Sequence, residues 1–123
     1  MWICSKYGFF SIVYKNHAYN VRARVENDLQ NLITAAGLNR KVITSETTDY
    51  PFRILIEDQE YQQVMDALAD SVDYDNFKDM IDHKPDQKDK PYHEIWGILA
   101  AKYGSYVGWV NRLPPVYQNW WQK

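Results

Sequence analysis

The sequence predicts an α+β fold, and three observations carry that prediction. Val21, Ala23 and Val25 alternate with Arg22 and Arg24, the period-two pattern of a strand with one buried face. Phe52, Ile54 and Ile56 alternate in the same way with Arg53 and Leu55. Two other segments space their apolar residues three and four apart: Leu29, Leu32, Ile33 and Ala36 in one, Tyr61, Val64, Met65 and Leu68 in the other. That spacing gathers them into one stripe of a helix.

Each element follows in order. The stretch 2–14 is rich in aromatic and β-branched residues and is broken at Lys6-Tyr7-Gly8. It reads as a short strand over 2–5 and a longer one over 9–14. Lys15-Asn16-His17-Ala18 turns the chain into the strand 20–25. A helix is expected over 27–36, with Asn27 and Gln30 in a capping-box pattern, Val25 joining its stripe and Gly37 as its left-handed stop. Strand character returns over 41–47, Thr48-Asp49-Tyr50-Pro51 makes a turn, and 52–57 is the next strand. Asp58 caps a helix over 59–71, whose stripe extends to Val72. Asp73 caps a short third helix that buries Tyr74, Phe77, Met80 and Ile81. A charged linker over 84–90 leads to a fourth helix over 91–103, opened by Pro91 and closed by Gly104. Its face is Tyr92, Ile95, Trp96, Leu99 and Tyr103. The aromatic tail, 104–123, shows no regular pattern.

If strands 9–14 and 20–25 form a hairpin, a permuted ferredoxin-like arrangement results. It is a four-stranded antiparallel sheet in the order 9–14, 20–25, 52–57, 42–47, with two helices on one face. The C-terminal helices and the tail are additions. One domain over 1–123 is expected, with its core at about 1–83.

A chain of 123 residues can bury a core without disulfides or metal. Cys4 is the only cysteine, so no internal disulfide forms and a reducing compartment is expected. The apolar start lacks the basic residues and cleavage site of a signal peptide. No apolar run reaches the roughly 18–20 residues that span a bilayer, and the expected address is the cytoplasm. Charge is uneven: +3 over 1–56, −8 over 57–89 and +3 over 90–123. The middle block attracts basic surfaces and repels phosphates.

The pieces Met1-Trp2-Ile3, Gly8-Phe9-Phe10-Ser11, Val21-Arg22-Ala23-Arg24 and Asp49-Tyr50-Pro51-Phe52-Arg53 continue with Asp73-Tyr74-Asp75-Asn76-Phe77-Lys78 and Tyr92-His93 before Trp96. On these, the chain resembles a family of small uncharacterised bacterial and phage proteins over roughly residues 1–99. The resemblance implies a compact bacterial or phage domain and carries no mechanism; the tail departs from it.

Several chemistries find no motif. The chain has no Gly-x-Gly, P-loop or Gly-x-Ser-x-Gly. Asp73, Asp75 and Asn76 begin like a calcium loop, but Lys78 and Lys84 stand where its glycine and glutamate belong. His83 and His93 with Asp82 or Glu94 lack the close spacing of a zinc site. His93, beside Tyr92 and Glu94, is the best general-base candidate, and a structural hydrogen bond is its plainer role. No metal and no cofactor are expected. Cys4 is expected to pack as a small hydrophobe.

Three surfaces remain. Arg22, Arg24 and Arg53 sit on neighbouring strands and share the sheet face away from the helices, with Phe10 and Tyr14 beside them in the assumed register. Arginines beside aromatics on an open sheet suit single-stranded RNA. In the alternative, the fourth helix or the tail covers this face and the arginines pair with Asp73 or Asp75. That alternative is favoured here because negative net charge weakens phosphate binding. Asp66, Asp70, Asp73, Asp75 and Asp79 form the acidic stretch, and Trp120 and Trp121 are aromatic anchors for an interface or a core. The leading expectation is a non-catalytic protein-binding module using this acidic surface on a basic partner protein. One version is an anti-CRISPR-like inhibitor of host defence carried by a phage or mobile element. Nucleic acid is the less expected partner, through an RNA-binding ferredoxin-like module. A small hydrolase around His93 is the third reading.

Overall fold

The computed structural model describes residues 1–82 and 88–104. The chain divides into two compact units, Met1–Asp75 and Asn76–Lys123, each described by itself.

The first unit begins with strands β1 (Trp2–Cys4), β2 (Phe9–Lys15) and β3 (Ala18–Ala23) and helix α1 (Glu26–Ala36). It continues with β4 (Ile43–Thr44), β5 (Phe52–Ile56) and helix α2 (Asp58–Asp70). The strands form one antiparallel sheet in the order β1-β2-β3-β5-β4. The pairing of β3 with β5 is the one the two alternating segments predict. The sheet has five strands where four are expected, because β1 pairs along β2 from Trp2↔Ser11 to Cys4↔Phe9. The strand expected over 42–47 is cut to two residues.

One sheet face carries the core. Phe10, Ile12, Val21, Ala23, Ile54 and Ile56 pack with Leu29, Leu32 and Ile33 of α1 and Val64 and Leu68 of α2, so both helices lie on the same side. Burying each large aliphatic chain stabilises the unit by roughly 1.5–3 kcal/mol. At the stripe ends the expectation fails: Val25 and Val72 are exposed.

The caps also differ from the sequence reading. Helix α1 starts at Glu26, so Val25, which has no side-chain acceptor, falls at its N-cap and the expected cap Asn27 lies within the first turn. Asp28 turns its carboxylate to the sheet and accepts from Phe9 N at 3.2 Å. Gly37, at φ 68°, is the stop as expected. Helix α2 is capped by Glu57 rather than Asp58, in a reciprocal capping box with Glu60. Glu60 also takes a bidentate ion pair from Arg40 at 2.6 and 2.7 Å, which holds its carboxyl below the usual range. Asp73 is not a helix cap: it binds Lys6 Nζ at 2.8 Å.

The second unit contains helices α3 (Phe77–Asp82) and α4 (Asp89–Tyr103). Asn76 caps α3, its Oδ1 accepting from Asp79 N at 3.1 Å. The two helices meet through Phe77 on Tyr92, with ring centroids 5.6 Å apart, and Lys78 over the Trp96 ring at 4.1 Å. Helix α4 begins two residues before Pro91, which falls within its first turn. Of its expected apolar face only Tyr92 is buried, while Ile95, Trp96, Leu99 and Tyr103 are exposed. Phe77 and Met80 are half-buried and Ile81 is buried. No helix among the described residues is long and apolar enough to cross a membrane.

Candidate functional site

The register places one residue from each strand in a row across the sheet. Trp2 opposes Ser11, Ser11 opposes Arg22, Arg22 opposes Arg53, and Arg53 opposes Ile43. Directly opposed residues share a face, and this face is the one away from α1 and α2. Trp2 stands at the outer strand, 75% exposed, with its ring 6.4 Å from Phe9.

The arginines are set by what they touch. Arg22 donates from Nη2 to Ser11 Oγ at 2.7 Å, and its guanidinium lies 4.8 Å from the centre of the Tyr50 ring. Arg24 lies on the same ring at 4.6 Å and donates to the Asp49 carbonyl at 2.9 Å. Each such contact is worth about 0.5–2 kcal/mol, the more so as it loses water. Tyr50 is 9% exposed and serves as a floor. Its loop is braced by Ser45 N to Pro51 O at 2.7 Å and Thr48 Oγ1 to Tyr50 O at 2.9 Å. Arg22, Arg24, Arg53, Tyr50, Trp2 and Lys15 line a concavity of about 580 Å³.

Among the described residues, no carboxylate forms an ion pair with any of the three arginines. The Nε atoms of Arg22 and Arg53 are buried without an acceptor. The expected pairing with Asp73 or Asp75 is therefore overturned, and Lys6 takes Asp73 instead. Asp49 also lines the concavity, where Lys15 and the three arginines outnumber it, and an anion bound among these cations offsets their mutual repulsion.

Two expected members of this face lie elsewhere. Phe10 is in the core, fully buried. Tyr14 has the same parity on β2, so it faces the helix side, where it packs on Tyr19 at 4.8 Å and Tyr19 stacks on Tyr61 at 3.9 Å. Cys4 is exposed on the outer strand rather than packed. Conversely, Trp2, Ser11 and Tyr50 complete the site without having been singled out for it. The alternation of β1 and the segment Asp49-Tyr50-Pro51-Phe52-Arg53 held the signal.

Of the acidic stretch, Asp66, Asp70, Asp73 and Asp75 lie in the first unit. Asp66 and Asp70 are exposed on α2, with Asp66 accepting from Gln62 at 2.9 Å. Asp73 is paired with Lys6, Asp75 ends the first unit, and Asp79 belongs to the second. Trp120, Trp121 and His83 lie outside the described residues. His93 Nε2 meets Asp82 Oδ1 at 2.6 Å, a contact that orients the imidazole. Comparison with family models, curated proteins and solved structures returns no match.

Proposed function

We propose that the protein is a non-catalytic binding module that takes an anionic ligand on its arginine face. The single observation behind this reading is that Arg22, Arg24 and Arg53 line one concavity with no carboxylate partner among the described residues. The sheet with its two helices is read as a permuted ferredoxin-like platform, widened by β1. The bacterial or phage setting implied by the resemblance, and a cytoplasmic address, belong to the same proposal.

The acidic reading has less support. Asp73, at the centre of the stretch, is already paired with Lys6. Negative net charge does not oppose the arginine face, since the −8 block falls over 57–89 and the arginines lie in the +3 segment.

Binding of inorganic polyphosphate to the full chain tests the proposal. At about 50 mM salt it is expected to bind, and raising the salt to about 200 mM weakens it steeply through counterion release. The double variant Arg22→Ala, Arg53→Ala is expected to lose about ten-fold or more, as charge-assisted hydrogen bonds of about 1.5–3 kcal/mol require. Unchanged binding by the folded double variant, or no binding by the parent chain, rejects the proposal.

A further inference from the structure

We infer that the ligand of the arginine face is a single strand of nucleic acid, with phosphates on Arg22 and Arg53 and an unstacked base on Trp2. This rests on the anion-binding reading of the face and names the ligand's chemistry. Strands lie about 4.8 Å apart, so the row from Trp2 to Arg53 covers about 14 Å across the sheet. An exposed indole stands at one end of that row and two guanidinium groups lie further along it.

Different anions use such a row differently. A compact phosphate engages the arginines and leaves Trp2 idle. An acidic peptide matches the cations and brings no regular flat ring. A single strand carries charges and rings in alternation, and every base has a face that stacks on an aromatic side chain. A duplex keeps those faces inside its own stack. The Arg53 side chain makes no hydrogen bond or ion pair among the described residues, and Arg22 directs one nitrogen to Ser11. Their remaining terminal N–H groups suit phosphate oxygens, which accept charge-assisted bonds. Lys15 in the same concavity adds a further cation, so that four cations there outnumber the Asp49 carboxylate.

The test is a set of titrations of the full chain with labelled oligo-U RNA, oligo-dT DNA, inorganic polyphosphate and oligoglutamate of matched charge. The strands are expected to bind about ten-fold tighter than either probe without bases, since stacking adds to the charge contacts. Trp2→Ala is expected to weaken the strands about five-fold or more and to leave polyphosphate within about two-fold. Trp2→Phe should retain most of the strand affinity. Because Trp2 is 75% exposed, both variants are expected to melt with the parent chain. Preference for RNA assigns a role to the 2′-hydroxyl, and equal binding assigns recognition to the chemistry both strands share; either supports the inference. Polyphosphate or oligoglutamate binding as tightly as the strands, with no effect of Trp2→Ala, overturns it. If Arg22→Ala with Arg53→Ala still weakens all probes in that case, the anion-binding reading stands and only the nucleic acid is wrong. If the arginine variant changes nothing, the reading of the face falls as well.

Discussion

Tyr50 holds two guanidinium groups against one ring, Arg22 at 4.8 Å and Arg24 at 4.6 Å. The contacts orient the arginines without neutralising them, so positive charge is concentrated and still available. Gly8 is the other residue on which local geometry depends. It closes the β1–β2 turn by exchanging backbone hydrogen bonds with Ser5 at 3.0 and 3.2 Å. Its φ of 151° and the Asp28 carboxylate packed against its Cα leave no room for a side chain. Gly8→Ala would push that carboxylate from Phe9 N, a clash combined with a lost buried hydrogen bond. Thermal or urea unfolding is expected to show a loss of about 2–4 kcal/mol. A loss under about 0.5 kcal/mol, the range of neutral surface changes, would contradict that account.

At the scale of elements, the β2–β3 hairpin positions Ser11 against Arg22 and is closed by Asn16 and His17, with φ of 55° and 61°. Two left-handed residues give the twist that a two-residue connection needs. Asn accepts that conformation more readily than His, which is strained by roughly 1 kcal/mol. His17→Gly is therefore expected to stabilise the chain by up to about 1 kcal/mol, read as a higher melting temperature. An unchanged or lower one would contradict the turn assignment. The hairpin and the β3–β5 pairing were legible in the sequence because period-two alternation is a local signal. What was not legible arose from distant partners. Asp28 answers a strand amide 19 residues before it, and Asp73 pairs with Lys6, 67 residues away in the chain. Phe10 and Tyr14, which share parity on β2, are both expected on the arginine face from an assumed register, and the burial of Phe10 puts the pair on the helix side. The role of Tyr50 depends on two arginines that precede it by more than 25 residues, which no local pattern contains.

For the whole molecule, charge and shape separate two surfaces that the sequence held in competition. The chain is negative overall, at −2, yet Arg22, Arg24 and Arg53 converge in one concavity, while Asp73 of the acidic stretch is paired with Lys6. An anion that enters the concavity offsets repulsion among guanidinium groups and adds its binding energy to folding. The central claim is that this face, and not the acidic stretch, is the working surface. The most direct measurement is backbone amide shift mapping of the full chain titrated with oligo-U. The account predicts that the largest changes fall at Ser11, Arg22, Arg24, Tyr50 and Arg53. Changes confined to 66–75, or none at those five positions, would contradict it.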